Sequence, residues 1–472
     1  MGERREQLLL AVTAVLMFSL AAMTASAEEG KEKAGEAGGR RHAYAAILYM
    51  GTPRDYEFYV ATRVMMRSLL RLGVDADLVV ISSADVPLLW VRTLREEDGL
   101  KVVTVDNLKN PYENQNNFNP RFKLTMNKLY AWNLVSYDRV VMLDADNLFL
   151  QPTDELFQCG RFCAAFINPC IFHTGLFVLQ PSLAVFNDML RELENGRENP
   201  DGADQGFLVR YFPDLLDRPL FRPPANGTKL EGTFRLPLGY QMDASYYYLK
   251  LQWNVPCGPN SVITFPSLPW LKPWYWWSWP LLPLGLQWHE QRRINLGYSA
   301  ETPAMLIQAT MYMTIAAATR MARPNLLKPG FIRRQEKSIP FFNAMVKTAA
   351  LWSMFAAYAI PFFLVPRTLH PLLGWSLYLL GAGALCSSVV TVFLLQTLPV
   401  FTLLLGMSGA LFVMAIPWYS DGIFRALALF GYAFCCSPVV WASLVKVVSS
   451  MNRTSIGTGR PSSKIGRIDA TV

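Results

Sequence analysis

Two carboxylates that stand one residue apart, directly after an apolar run, carry the clearest chemical signal in the sequence. The four residues before Asp144 are apolar and two of them are β-branched, which predicts a buried strand over Arg139–Leu143. Side chains alternate along a strand, so Asp144 and Asp146 point to one side and Ala145 to the other. Carboxylate oxygens suit Mg²⁺ or Mn²⁺, cations that also bind diphosphate oxygens. The pair therefore predicts a site for a metal and a diphosphate.

A second Asp-x-Asp tripeptide provides an internal comparison. Asp75 and Asp77 precede their apolar run, residues 78–81, whereas Asp144 and Asp146 follow theirs. Open α/β sheets bind ligands outside the carboxyl ends of their strands. We therefore interpret the earlier pair as a solvated turn that enters a strand, and the later pair as the candidate site.

Strand and helix patterns alternate along the chain around these carboxylates. Strand patterns cover residues 42–50, 77–82, 100–105, 139–143 and 172–179, and helical patterns cover 56–72, 87–97, 124–135 and 183–194. Such alternation is typical of an α/β fold with a parallel sheet that helices cover on both faces. The fold class predicted for this part of the chain is therefore α/β.

A polar loop near residue 201 is the second candidate segment. Asp201, Asp204 and Gln205 stand among small residues, which let a ligand approach the backbone closely. Taken alone, a segment rich in Gly and Asp is more typical of a simple turn. The sequence is therefore consistent with both a ligand-binding loop and a simple turn.

Residues 42 to about 288 resemble the catalytic domain of glycosyltransferase family 8, the glycogenin-like enzymes, and within it the plant glucuronosyltransferase branch. The segments that carry the resemblance follow in the family's order: Asn127–Leu129, Leu143–Asp146, Gly175 within 172–179, Asp201–Gly206 and Leu271–Trp274. The resemblance implies a GT-A fold, a UDP-sugar donor, Mn²⁺ and retention of the anomeric configuration. It implies UDP-glucuronic acid as the donor, with UDP-glucose or UDP-galactose as the alternative.

The resemblance also implies a role for each matching residue. Asp144, Ala145 and Asp146 would hold the metal and the diphosphate. Lys128 and Lys272 would neutralise phosphate, for which a lysine point charge is well suited.

A further set would contact the sugar and the base of the donor. Asp201, Asp204 and Gln205 would contact the sugar or flank its reacting carbon, so Asp201 and Asp204, with Lys128, are the catalytic candidates. The remaining substrate-binding candidates are Ile47 and Tyr49 for the uracil, Arg121 for a sugar carboxylate, and His173, Thr174 and Gly175 for the sugar pocket.

Two segments depart from the family pattern. His173-Thr174-Gly175 stands where the family has Asn-Ser-Gly. Thr264 is the nearest match to the histidine that serves the family as third metal ligand, and a neutral hydroxyl is a poorer ligand than imidazole. The alternative function is therefore a multi-pass membrane protein with a degenerate, non-catalytic domain that binds a sugar nucleotide or glycan.

The C-terminal part of the chain has the composition of a membrane protein. Of the 472 residues, 52% are hydrophobic and 17% are charged, and the apolar excess begins near Thr302. Five apolar stretches follow, over about 303–319, 348–366, 372–395, 398–417 and 424–445. Basic residues crowd the first connecting loop and the tail, so the positive-inside rule predicts five transmembrane helices that begin in the lumen. The net charge of +8 therefore indicates membrane topology rather than a nucleic-acid partner.

These features predict a domain order along the chain. Residues 1–27 form a secretory signal peptide, or alternatively an uncleaved anchor, and residues 28–41 form a linker. A lumenal GT-A domain (42–300), five transmembrane helices (301–447) and a cytosolic tail (448–472) follow. We expect a multi-pass protein of the Golgi or of another secretory-pathway membrane. Its oligomeric state is open.

Cysteine and tryptophan add two further expectations. Four of the seven cysteines lie in the predicted lumenal part, and Cys159–Cys163 is the bridge that proximity favours. Five of the thirteen tryptophans fall within residues 270–280, a Pro-broken segment typical either of a core layer or of a bilayer interface. The interface interpretation favours a membrane-lipid acceptor, and a glycan acceptor is the alternative.

Overall fold

The structure is a computed structural model of the chain, and it describes residues 41–116, 118–251, 259–265, 268, 270–326, 340–416 and 419–456. The predicted signal peptide, nearly all of the predicted linker, Cys257 and most of the predicted tail lie outside the described residues. The chain divides into two compact units, Met1–Tyr298 and Ser299–Val472.

Within the described residues, the first unit contains a seven-stranded sheet of order β3-β2-β1-β4-β7-β6-β8 and a three-stranded sheet of order β5-β10-β9. The strands are β1 (His42–Leu48), β2 (Asp77–Ser83), β3 (Lys101–Val105), β4 (Arg139–Leu143), β5 (Asn147–Phe149), β6 (Phe162–Ala165), β7 (Leu176–Leu179), β8 (Thr233–Leu236), β9 (Met242–Asp243) and β10 (Val262–Thr264). The strand predicted to precede Asp144 is therefore confirmed as β4, the centre of the larger sheet.

Helices of the first unit connect and cover these strands. They are α1 (Asp55–Arg71), α2 (Leu88–Glu96), α3 (Leu183–Glu194), α4 (Asp204–Tyr211), α5 (Ala244–Lys250) and α6 (Gly285–Asn295). The helix predicted over 183–194 is confirmed at both ends, and Ser182 caps it by accepting a hydrogen bond from the Val185 N–H. The segment predicted as a helix over 124–135 is instead a 3₁₀ helix, Thr125–Asn133.

Strand β4 shows how the larger sheet is buried. Val141 and Leu143 belong to one apolar core, which also contains residues of α1. Val140 and Met142 point the opposite way into a second core, which contains residues of α3. The sheet is thus apolar on both faces, as α/β sheets are. The predicted fold class is confirmed.

The larger sheet is mixed, so the predicted parallel arrangement holds for only part of it. Strand β7 runs antiparallel to both β4 and β6. Only ten residues, 166–175, connect β6 to β7. A parallel return needs a crossover of about a dozen residues or more, so this connection reverses the chain instead. As a consequence, the residues that precede β7 lie beside the carboxyl end of β4.

The smaller sheet starts directly after the Asp pair. Strand β5 begins at Asn147, and β10 pairs antiparallel with it in a register that sets Thr264 opposite Asn147. Strand β9 lies on the other side of β10. The structure also joins Cys159 to Cys163 in a disulfide, which confirms the predicted bridge.

The described part of the second unit is helical. Its helices are α7 (Thr302–Leu326), α8 (Pro340–Leu364), α9 (Pro371–Val392), α10 (Thr397–Ala415) and α11 (Gly422–Ile456). Among the described residues, four segments are long and apolar enough to cross a membrane: Ala344–Leu364, Pro371–Val392, Thr397–Ala415 and Gly422–Ser449. The first stretch of the five-span prediction lies in α7, which is not one of these four, so the fifth span stays a prediction.

Candidate active site

The carboxylates of the candidate site lie at the carboxyl edge of the larger sheet. Strand β1 is parallel to β4 and pairs Ala46 with Leu143, so Ile47 is level with Asp144. Ala43 of β1 pairs with Asp77 of β2 on one side and with Val140 of β4 on the other. Asp77 is therefore level with Val140, four residues before Asp144. At about 3.3 Å per residue the two Asp pairs are about 13 Å apart along the strands. The earlier pair therefore lies near the opposite edge.

Asp77 has structural partners at that opposite edge. Its Oδ2 atom lies 2.5 Å from Lys101 Nζ and accepts a hydrogen bond of 2.9 Å from the Tyr137 hydroxyl. Lys101 is half exposed, with 53% of its side-chain surface accessible. This ion pair joins β2 to β3, and the Asp77 side chain in it is only 12% exposed.

Lys128 is the buried centre of the candidate site. Its ammonium group lies 2.9 Å from Asp144 Oδ1 and 2.5 Å from Asp204 Oδ2, and it donates to the Thr174 carbonyl at 3.1 Å. Only 2% of the side chain is exposed. Burial lowers the pKa of Lys128, but the two carboxylates outweigh burial and raise the pKa above its ordinary value. The lysine is therefore a fixed cation held between two predicted site residues.

The two carboxylates beside Lys128 differ in their surroundings. Asp204, the first residue of α4, also accepts a hydrogen bond of 2.8 Å from the Thr174 hydroxyl and is almost fully buried. Asp144 keeps 34% of its side-chain surface exposed. Burial raises the pKa of Asp144, Lys128 opposes this, and the Asp146 and Asp204 carboxylates raise it further. Asp144 is thus the carboxylate of this pair that a ligand can reach.

Asp146 has one oxygen with a partner and one without. Its Oδ2 atom lies 2.5 Å from the buried Lys272 ammonium. Its Oδ1 atom is buried and has no hydrogen-bond partner among the described residues. A buried carboxylate oxygen without a partner is costly, and a bound cation would satisfy it.

A divalent metal fits the two aspartates but not the predicted third ligand. Each aspartate pairs one oxygen with a lysine and leaves the other for a hard cation. Thr264 is buried and donates its hydroxyl hydrogen to Asn147 Oδ1 at 2.6 Å. Within the described part of the chain, no group of three His, Cys, Asp or Glu side chains could hold a metal. Diphosphate and water would have to supply the remaining ligands.

Gly175 connects the sugar-pocket candidates to the Asp pair. Its carbonyl accepts hydrogen bonds from the Asp144 N–H at 2.8 Å and from Asn147 Nδ2 at 2.5 Å. Its N–H donates to His173 Nδ1 at 3.0 Å. A Cβ atom at this position would lie 2.7 Å from the His173 ring and 2.8 Å from Gln241 Nε2, so only glycine fits. Gln241 contacts His173 Nδ1 at 2.7 Å and is a site residue that no sequence signal indicates.

The polar loop near residue 201 is held by one of its own carboxylates. Asp201 Oδ1 accepts hydrogen bonds from the N–H groups of Ala203 and Gly206 at 2.9 and 3.1 Å. A Cβ atom on Gly206 would lie 2.2 Å from that oxygen, so the loop requires glycine there. Asp201 therefore shapes the loop, and Gln205, which is half-buried at the start of α4, stays a predicted sugar contact.

The predicted uracil and carboxylate contacts lie on the β1 side of the site. Burial raises the pKa of Tyr49, and the Asp204 and Asp144 carboxylates add to this, which places Tyr49 beside the Asp cluster. Burial lowers the pKa of Arg121, and the neighbouring Arg54 guanidinium lowers it further. Arg121 also stacks over the Phe122 ring at 4.5 Å. Arg121 thus interacts electrostatically with Tyr49 and with Arg54, a residue that the sequence interpretation missed.

The α/β sheet carries lysine-paired aspartates at its carboxyl edge, and comparison with proteins of known sequence identifies the chain as a glycosyltransferase. The C-terminal residues 300–456 match the family model described as the PGSIP7 C-terminal domain. An Arabidopsis thaliana protein named "Putative glucuronosyltransferase PGSIP8" is 66% identical over 411 residues, which cover 87% of this chain and 82% of that protein. The chain belongs to the plant PGSIP7/PGSIP8 family.

A more distant relative by sequence is consistent with this assignment. Inositol phosphorylceramide glucuronosyltransferase 1 of Arabidopsis thaliana is 32% identical over 285 residues, which cover 59% of this chain and 50% of that protein. Among solved structures, the apo form of the glycosyltransferase GlyE of Streptococcus pneumoniae aligns with a TM-score of 0.37 and 17% identity, over 54% of this chain and 60% of that one. The predicted resemblance to the plant glycogenin-like branch is confirmed.

Proposed function

We propose that this chain transfers glucuronic acid from UDP-glucuronic acid, with Mn²⁺ and with retention of configuration, to an acceptor at a secretory-pathway membrane. The observation that carries the proposal is the cluster in which Lys128 joins Asp144 to Asp204 while Lys272 holds Asp146, at the ligand-binding edge of the sheet. Two fixed cations beside the partly exposed Asp144 and the buried, unpaired Asp146 Oδ1 suit a metal-bound diphosphate leaving group.

Each residue of the cluster has a distinct role in this proposal. Asp144 and Asp146 would hold Mn²⁺, which when bound would offset the charge that develops on the departing diphosphate. Lys272, oriented by Asp146, places its ammonium where a phosphate oxygen would replace the carboxylate contact. Lys128 stays in place because Asp204 and the Thr174 carbonyl hold it from the protein side.

The donor assignment is tested by the arginine at the entrance to the site. The Arg121 guanidinium interacts electrostatically with both Tyr49 and Arg54, and a guanidinium fork matches a carboxylate better than a hydroxyl. We expect Arg121→Ala to reduce turnover of UDP-glucuronic acid by roughly tenfold or more and that of UDP-glucose by much less. The measurement is donor hydrolysis by the full chain in nanodiscs, with and without Mn²⁺.

Arg191→Ala is the matched control, because Arg191 is 72% exposed in a surface ion pair on α3. The Arg191→Ala variant should hydrolyse UDP-glucuronic acid and UDP-glucose at the native rates. If Arg121→Ala lowers the turnover of both donors equally, Arg121 is not the partner of the sugar carboxylate. Donor binding without any turnover would instead favour the degenerate sugar-nucleotide-binding domain.

The acceptor proposal concerns the tryptophan-rich segment that precedes the apolar helices in the sequence. Trp274 and Trp276 are fully buried, so the structure assigns them to the core. Trp270 is 63% exposed, and Trp277 donates its indole N–H to the Trp270 carbonyl at 3.0 Å. An exposed indole on a supported segment suits a bilayer interface. We therefore infer a lipid acceptor, the class that the name of one relative specifies.

We expect Trp270→Ala to lower transfer to a lipid acceptor presented in vesicles and to leave transfer to a soluble glycan unchanged, because only the first needs contact with the bilayer. The acceptor for the first arm is inositol phosphorylceramide. Leu88→Ala is the control, since Leu88 is 85% exposed on α2 of the same unit. If both activities fall together, or only the soluble one falls, the membrane-facing acceptor is wrong.

The lumenal orientation of the first unit makes a prediction about glycosylation. Asn226-Gly227-Thr228 is an exposed sequon in which the Thr228 hydroxyl donates to Asn226 Oδ1 at 2.9 Å. Asn452-Arg453-Thr454 is a second sequon, which the five-span topology places in the cytosol. We expect Asn226→Gln to remove a glycan and Asn452→Gln to remove none, as read from gel mobility with and without endoglycosidase. A glycan on Asn452 would refute the topology.

A further inference from the structure

The hydrogen bonds around His173 determine which ring nitrogen carries the proton. The Gly175 N–H points at His173 Nδ1 from 3.0 Å, and a backbone N–H can only donate. Nδ1 must therefore be an acceptor, so a neutral imidazole carries its hydrogen on Nε2. A hydrogen on Nδ1 would place two donors face to face.

Gln241 contacts the same ring nitrogen, His173 Nδ1. Its side-chain amide is completely buried, and its Nε2 atom lies 2.7 Å from His173 Nδ1. Because Nδ1 accepts, this amide must present its NH₂ group to the ring. Its oxygen is then left buried without a hydrogen-bond partner in the described part of the chain. Turning the amide over would satisfy nothing, since it would set two acceptors against each other.

The other side of the ring is open to a ligand. His173 is only partly buried, and no described residue accepts a hydrogen bond from its Nε2. The next residue, Thr174, contacts both Lys128 and Asp204. His173 therefore borders the Asp cluster with one free N–H group and no free acceptor.

We propose that Gln241 is a positioning residue that holds His173 as the Nε2–H tautomer, so that the imidazole offers the donor sugar a hydrogen-bond donor and no acceptor. The identity of the receiving group rests on the proposed function: a uronate carboxylate accepts such a bond more strongly than a neutral hydroxyl does. The asparagine found here in the resembling family offers both a donor and an acceptor, so the histidine narrows the choice of sugar.

Nitrogen NMR on the full chain in nanodiscs tests the tautomer. With ¹⁵N-labelled histidine, four residues contribute signals, and His173→Ala identifies the relevant one. We expect an unprotonated Nδ1 and a protonated Nε2 in the native chain, where two groups donate to Nδ1. In Gln241→Met only the Gly175 N–H remains at Nδ1, so we expect a measurable share of the Nδ1–H tautomer beside the native one. A proton on Nδ1 in the native chain would overturn the proposal, whether or not the protein turns over any donor.

A double-mutant cycle tests the positioning role. We expect Gln241→Met to lower kcat/KM for UDP-glucuronic acid hydrolysis by roughly tenfold in the native chain and to add no loss in the His173→Ala background. Gln151→Met is the matched control, because Gln151 donates to Ser261 Oγ at 2.8 Å away from the cluster. Additive losses in both backgrounds would make Gln241 merely structural and overturn the positioning role.

The same variants separate this inference from the proposed function. His173→Ala should reduce kcat/KM for UDP-glucuronic acid by roughly tenfold more than for UDP-glucose. Equal losses of kcat/KM for the two donors would overturn the contact between His173 and the sugar carboxylate. The NMR measurement tests the tautomer independently of that result. Failure of the native chain to hydrolyse any donor would count against the proposed function alone.

Discussion

Asp144→Asn and Asp146→Asn are each expected to lower donor turnover on the order of 10²-fold or more. Both carboxylates lie at the edge of the sheet where ligands bind, and each has one oxygen placed for a cation. Loss of electrostatic stabilisation of a leaving group commonly has an effect of this size. The measurement is initial-rate hydrolysis of UDP-glucuronic acid over a Mn²⁺ series, together with Mn²⁺ binding followed by electron paramagnetic resonance.

Asp75→Asn is the control for this pair, since it makes the same change in the same tripeptide at the opposite edge of the sheet. It should leave both turnover and Mn²⁺ binding unchanged. If all three variants lose activity to the same extent, the position of a carboxylate relative to its strand does not determine its function here.

The largest loss of stability is expected for Lys128→Met. This change leaves Asp144 and Asp204 without the cation between them, and removal of one partner from a buried ion pair costs about 3–5 kcal/mol. For a unit of this size that corresponds to a fall of roughly 10 °C in the melting temperature. Thermal unfolding in nanodiscs, followed by intrinsic tryptophan fluorescence, measures it.

Lys101→Met is its matched comparison. The Lys101–Asp77 and Lys128–Asp204 pairs have the same 2.5 Å N–O distance, but 53% of the Lys101 side chain is exposed against 2% of Lys128. Solvent screening limits an exposed pair to about 1 kcal/mol or less. A comparable melting temperature for the two variants would show that burial of Lys128 is not what makes its ion pairs important.

The features that depend on local pattern are predictable from the sequence. Helix α3 has the bounds that its periodicity predicts, and β4 ends where the apolar run ends. The direction of β7 is not local, because it depends on how ten residues reverse the chain after β6. That reversal places Gly175 against Asp144, a contact that strand propensities alone do not indicate.

Partners distant in sequence account for what the sequence interpretation of the site missed. Gln241 is 68 residues from His173, and nothing around it forms a motif. Thr264 is the nearest sequence match to the family's third metal ligand. The register of β10 against β5 sets it opposite Asn147, 117 residues away, and its hydroxyl donates a hydrogen bond to that residue.

The unequal lengths of α10 and α11 bear on the kind of bilayer that suits the second unit. The apolar segment of α10 has 19 residues and that of α11 has 28, which correspond to about 28 Å and about 42 Å of helix. Hydrocarbon cores measure about 27 Å in the endoplasmic reticulum and about 32–33 Å in the plasma membrane. An upright α10 matches the thinner of these, whereas α11 overshoots both unless it tilts. A thinner bilayer therefore suits the apolar segment of α10, and in such a bilayer α11 would need the larger tilt.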